Sequence, residues 1–99
     1  MTAADLPLAA PVRLRASAGE IAARIAADHG LTLADIAGRG NRRTLSVARQ
    51  AAMLACARAG FGSAHIGRVL RRDHTTVLFG IARAMAREDA RADTGSQAA

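Results

Sequence analysis

From Ser17 onward the apolar positions of this 99-residue chain recur at helical spacing, and polar or glycine-rich breaks cut them into short blocks. Ile21 and Ile25 stand four apart with Ala22 and Ala26 beside them, which predicts an amphipathic helix. Ser17-Ala18-Gly19-Glu20 fits a capping box at its start, where hydroxyl and carboxylate each satisfy a backbone N–H that the helix leaves open. Asp28, His29 and Gly30 mark its end. Thr32 to Ile36 reads as a second, short turn of helix. Residues 38–44, GRGNRRT, then break the period with glycine, asparagine and three arginines, and predict a basic loop. Ser46 is the expected cap of a third helix running to about Arg58. Its expected buried stripe is Val47, Ala51, Leu54 and Ala55, with Arg49, Gln50 and Met53 on another face, and Gly60 and Gly62 close it.

Ser63 is the expected cap of a short helix from Ala64 to Val69, and Leu70-Arg71-Arg72 connects it to the last helix. Asp73 suits the N-cap there, its carboxylate accepting from the N–H of Thr75 or Thr76, and Leu70 and Val77 suit an approximate hydrophobic staple. The last helix runs to about Arg87, with Val77, Leu78, Ile81 and Met85 expected to face inward. A short helix, a three-residue connection and a longer helix over 63–87 is helix-turn-helix spacing. The second helix opens on polar residues, and in such folds that first turn reaches base edges in the major groove. Residues 1–16 hold both prolines and no clear period, and read as a flexible N-terminal arm. Residues 88–99 are polar and read as a flexible C-terminal tail, which leaves 17–87 as one helical domain.

Composition fits an all-α bundle. The chain is 51% hydrophobic, but most of that is alanine and aromatics are only 2%. Alanine is the best helix former, whereas strands favour β-branched and aromatic residues. The net charge is +6, and all 14 basic residues are arginine. GC-rich coding favours arginine, alanine and glycine, so identity alone says little; placement says more. Residues 37–87 hold ten arginines against Asp73 alone, a net of +9, while residues 1–36 carry −1 and residues 88–99 carry −2. One central basic block is an electrostatic footprint for a polyanion, most often nucleic acid.

Other chemistries find little support. Cys56 is the only cysteine, so neither an intrachain disulfide nor a cysteine zinc set is expected, and a small core filler is its simplest reading. His29, His65 and His74 show no ligand spacing with it, so no metal or other cofactor is expected. Asp73 and His74 are neighbours on a helix and diverge by ~100°, so they are not a catalytic dyad, and no enzyme activity is expected. No apolar run approaches the ~18 residues of a membrane span, and the N-terminus lacks the basic start of a signal peptide. A cytoplasmic location, with no membrane and no small-molecule substrate, is the resulting expectation.

The stretch RRDHTTVL at 71–78, with RQAAML at 49–54 and Ile66-Gly67 between, resembles the C-terminal DNA-binding domain of the bacterial replication initiator DnaA. The resemblance extends from about Glu20 to Arg87. It implies a TrpR-like domain of five or six helices that binds specific double-stranded DNA. Arg72, Asp73, His74, Thr75 and Thr76 occupy the family signature, whose His and Thr residues read major-groove bases and hold phosphates. Arg49 and Gln50 match a DNA-facing Arg-Gln pair, and Arg71 adds an expected phosphate contact. The family's basic loop places an arginine in the adjacent minor groove; Asn41 stands there in this chain, with Arg42 and Arg43 next to it. Leu70-Arg71 replaces a Gly-Gly in a connection one residue shorter, His65 falls where a Leu-Pro-Glu stretch is usual, and Phe79-Gly80 replaces His-Ala, with the core as the expected place of Phe79. The initiator also carries an ATPase domain, and this sequence has no Gly-x-x-x-x-Gly-Lys-[Ser/Thr] loop and no lysine at all. The expectation is a stand-alone DNA reader that regulates transcription or replication initiation, with the initiator itself or other regulators as further partners. The alternative is a protein-interaction module that keeps the fold without reading DNA.

Overall fold

The computed structural model describes residues 16–98, with side chains described through residue 92. The arm expected over residues 1–16 therefore lies, but for Ala16, outside the described residues. The described part holds five helices and no strand: α1 (Ala18–Asp28), α2 (Leu33–Ala37), α3 (Arg43–Arg58), α4 (Ser63–Leu70) and α5 (His74–Ala98). Helix α3 is central. Helices α1 and α5 each pack against it, α2 closes the α1 side, and α4 packs mainly on α5.

Both short N-terminal helices begin at reciprocal capping boxes. Ser17 Oγ accepts from the Glu20 N–H at 3.1 Å, and Glu20 Oε1 accepts from the Ser17 N–H at 2.8 Å. Thr32 and Asp35 repeat the arrangement at 3.1 and 2.9 Å. The box at its start, with the Gly38 N–H closing on the Asp35 carbonyl at its end, explains how five residues hold a helix at α2. Two other expected caps are not made. Helix α3 starts at Arg43, and Ser46 lies inside it, donating from Oγ to the Asn41 carbonyl at 3.3 Å. Helix α4 starts at Ser63 with Gly62 in the cap position and no side-chain cap bond.

Three helices end in the same way. The N–H of Leu31 reaches the Ala26 carbonyl, that of Phe61 the Cys56 carbonyl, and that of Arg72 the Gly67 carbonyl, at 2.9, 3.1 and 2.8 Å. This is the Schellman closure, which needs a left-handed residue just before the donor. Gly30 and Gly60 supply it at φ +74° and +99°; at α4 it is Arg71, at φ +57°.

The core is thin and alanine-rich. Ala18, Ala22 and Ala26 form the fully buried stripe of α1, while Ile21 and Ile25 are only partly buried beside it. Small side chains let α1 approach α3 closely, and Cys56 Sγ sits 3.4 Å from the Ala18 carbonyl. Ile36, Met53, Ile66, Leu70 and Val77 supply the bulk. Each large apolar side chain so buried contributes about 1.5–3 kcal/mol. Leu70 and Val77 share this cluster across the turn of the helix-turn-helix.

Two expected stripes are rotated. On α3 the buried positions are Leu45, Ala48, Arg49, Ala52, Met53, Leu54 and Cys56, while Val47, Ala51 and Ala55 are half-buried. On α5, Val77, Gly80 and Ala84 face inward and Ile81 is half-buried; Leu78 and Met85 are exposed, and so is Phe79, at 66%. Alanine explains the ambiguity: nearly every face of these helices carries one, so spacing alone does not single out the inward face. Helix α5 also continues unbroken past Arg87 to Ala98, where a frayed tail is expected from polarity alone. Glu88 helps to carry it, pairing across to Arg58 of α3 through two bonds of 2.8 and 3.1 Å.

Candidate nucleic-acid interface

The first turn of α5 is built by its cap. Asp73 Oδ2 accepts from the Thr75 N–H at 2.9 Å, and the Asp73 carbonyl accepts from the Val77 N–H at 3.0 Å. The Thr75 N–H, first among the causes, holds the Asp73 carboxyl below its ordinary range, and nearby His74 adds to the effect. The capped turn presents His74, Thr75 and Thr76 to solvent, all three exposed. His74 Nδ1 lies 3.8 Å from Asp73 Oδ1, too far for a hydrogen bond, and its side chain is 61% exposed. One turn below, buried Val77 anchors the helix, so the polar first turn stands on a fixed base.

Exposed arginines stand on this turn's own connection and on other elements of the domain. Arg71 is exposed in the connection, Arg68 on α4 and Arg83 further along α5. The loop between α2 and α3 adds Arg39 and Arg42, with Arg43 opening α3, all exposed. A cleft of about 330 Å³ between α3 and α5 joins these features; Gln50, Arg72, Thr76, Phe79 and Arg83 line it, with Met53 at its floor. Gly80 makes the α3–α5 approach possible, because a Cβ there would collide with the Met53 sulfur.

The guanidinium groups of Arg49 and Arg72 are bonded to backbone carbonyls. Arg49 is 6% exposed. Its Nε donates to the Ile36 carbonyl at 2.6 Å, and its Nη2 donates to the carbonyls of Gly40 and Gly38 at 2.7 and 3.4 Å. Burial, and secondarily the charge of Arg72, lowers its pKa from the ordinary arginine value. Arg72 is half-buried. It donates from Nη2 to the Gly38 carbonyl at 2.6 Å and from Nη1 to the carbonyls of Leu70 and Arg71 at 3.2 and 3.1 Å. Gln50 is half-buried, and its Oε1 accepts from Arg87 Nη2 at 2.9 Å.

Residues 18–84 match the family described as the bacterial DnaA protein helix-turn-helix. The chain belongs to the DnaA helix-turn-helix family. Among curated proteins and among solved structures, no match was found. The DnaA-type helix-turn-helix is a DNA-binding domain, and in this chain a short turn at residues 71–73 joins α4 to α5. The structure thus groups Arg42, Arg43, Arg71, Asp73, His74, Thr75 and Thr76 on the exposed surface of that domain. It sets Gln50, Arg72 and the buried Arg49 along the cleft. The inward turn of Arg49 was legible in one respect: it shares the i, i+3, i+4 spacing of Leu45, Ala48, Ala52, Met53 and Cys56. The loop carbonyls that satisfy it carry no sequence signal. Among the described residues no helix is long and apolar enough to cross a membrane, and no three metal-binding side chains gather.

Proposed function

We propose that this chain is a sequence-specific reader of double-stranded DNA that acts as a stand-alone regulator of transcription or replication initiation, in the cytoplasm, on the nucleoid, and without ATPase activity. The observation that carries the reading is the capped, solvent-facing first turn of α5, His74-Thr75-Thr76, with exposed arginines on its own connection and on other elements of the domain. In this reading His74 and Thr75 meet major-groove base edges and Thr76 a phosphate, while Asp73 caps and thereby aims the helix. Arg71 and the Gln50 amide hold phosphates, and Arg42 or Arg43 enters the adjacent minor groove in place of Asn41. The replication initiator is the proposed competitor for its sites.

The test is fluorescence anisotropy with a labelled duplex carrying the initiator's binding box, against a scrambled duplex, at near-physiological salt. The box is expected to bind more tightly. His74→Ala and Thr75→Ala are each expected to weaken specific binding by roughly 1–3 kcal/mol and to leave the scrambled duplex unaffected. If affinity and preference both survive the two substitutions, α5 is not the recognition helix.

A second reading is a protein-interaction module, favoured by exposed Leu78, Phe79 and Met85 on α5. Salt separates the two. Phosphate contacts give a log–log slope of about −0.9 per neutralised phosphate; a protein partner held through apolar residues gives a slope near zero.

A further inference from the structure

Two arginines in this domain spend their guanidinium groups on the protein's own backbone, and they do so at one place. The loop at residues 38–42 contains two glycines and lies outside every helix. Three carbonyls at and just before it, those of Ile36, Gly38 and Gly40, are gripped by Arg49 from α3. The Gly38 carbonyl is shared with Arg72, which stands 34 residues further on, immediately before the recognition helix. The same Arg72 guanidinium holds the carbonyls of Leu70 and Arg71 at the end of α4. Arg72 is thus a bridge between the loop and the turn of the helix-turn-helix, and Arg49 fixes the loop end of that bridge to α3.

The arrangement is costly. Two cations converge on one carbonyl, and no hydrogen bond in the set involves a carboxylate. Burial and mutual repulsion both act against the charge of Arg49. Backbone dipoles offset this, and a guanidinium, with five donors in a rigid fork, reaches well-separated carbonyls from different nitrogens, where an ammonium offers three donors on one atom. A lysine carries the charge without the fork. The chemistry therefore distinguishes a clamp from a simple phosphate contact, where a point charge suffices.

We propose that Arg49 and Arg72 are positioning residues that clamp the 38–42 loop to the start of α5, so that the loop arginines and the His74-Thr75 turn meet DNA at one fixed separation. The proposal rests on the DNA-reading function above and adds what sets the spacing of its two contact points. Flexible loops spread their contacts over many registers; a clamped loop adds base-pair discrimination as well as charge.

The experiment uses the full chain carrying Arg72→Lys, with Arg49→Lys as a second variant and circular dichroism to establish that each is folded. Two readouts are taken. The first is the ¹⁵N order parameter of Gly38 and Gly40 in the free protein, expected to fall from a rigid value near ~0.85 to below ~0.6 in Arg72→Lys. The second is binding to the duplex that the wild-type chain prefers, with each base pair replaced in turn. Discrimination is expected to drop ~5-fold or more at the base pairs whose preference Arg42→Ala or Arg43→Ala abolishes, and to persist at those read by His74. A merely structural role would weaken every position alike. Unchanged order parameters overturn the clamp, whatever the DNA result. Mobile glycines with an unchanged base-pair profile overturn its role in spacing. A wild-type chain with no base preference on any duplex, together with mobile glycines in the variant, places the failure in the DNA-reading function and overturns the spacing role with it.

Discussion

Arg71 occupies a conformation that arginine disfavours. At φ +57° and ψ +46° it lies in the left-handed region, which costs a residue with a Cβ roughly 1–2 kcal/mol. The equivalent positions at the ends of α1 and α3 are Gly30 and Gly60, where that cost does not arise. Glycine at residue 71 would recover the strain but lose about 0.5–1 kcal/mol to the greater freedom of the unfolded chain. Arg71→Gly is therefore expected to stabilise the fold by roughly 0.5–1 kcal/mol, read as a higher urea midpoint at unchanged slope. The same variant is expected to bind DNA less tightly, with a salt dependence shallower by about 0.9 in log–log slope. Residue identity was the most legible level of this protein. The Ser17–Glu20 box and the Asp73 cap follow from short-range chemistry, and both are made as the sequence predicts. The positive φ of Arg71 was hidden, because nothing local marks an arginine as left-handed; only the Gly-Gly of the resembling family points to it.

Among the helices, the decisive contact is the approach of α4 to the turn that follows it. Gly67 is fully enclosed there, and a Cβ at this position would collide with the Arg72 carbonyl oxygen. The obstacle is backbone, so it cannot rotate aside. Gly67→Ala is expected to destabilise the domain by about 2–3 kcal/mol, the upper end for overpacking, measured by thermal or urea denaturation. At permissive temperature it is also expected to lose specific DNA binding, because the angle between α4 and α5 must open. Helix existence and order were read correctly from periodicity, but facing was not. On α3 the spacing of Val47, Ala51 and Leu54 and that of Leu45, Ala48 and Ala52 are equally helical, and alanine on both blurs the choice. On α5 the larger Leu78 and Met85 suggested the inward side, while the close α3 crossing at Gly80 selects small residues there instead. The length of α5 escaped as well; the first residue past the expected end, Glu88, pairs with Arg58, thirty residues away.

The whole molecule separates its charges by task. Most arginines of the central block stand exposed, whereas Glu20 and Asp73 work in helix caps and Glu88 in a tie to Arg58. Glu20 is held below its ordinary range chiefly by the Ser17 N–H, Asp73 by the Thr75 N–H and Glu88 by Arg58. Each lowered value favours the folded state when the carboxylate is charged. The contribution is complete above the unfolded range near ~4 and is lost as pH falls through the folded values. Stability is therefore expected to stay level with respect to these groups from pH 7 down to about 5 and to decline below that. Combining Glu20→Gln, Asp73→Asn and Glu88→Gln should flatten the acid decline in a melting-temperature series; an equally steep decline would place the acid sensitivity in other groups. At this scale the basic block was plain in the sequence, but the withdrawal of Arg49 from the surface was not, because it depends on where three carbonyls of a loop come to rest.

The left-handed Arg71 also has a genetic dimension. Every arginine codon becomes a glycine codon by a change of its first base alone. The residue that strains the end of α4 is thus a single point mutation from the residue that would relax it, with no intermediate to cross. A lineage pressed to tolerate heat has that route open at once, and taking it removes a cation from the rim of the proposed DNA face. One nucleotide in this gene therefore sets durability of the fold against one cation of that proposed face.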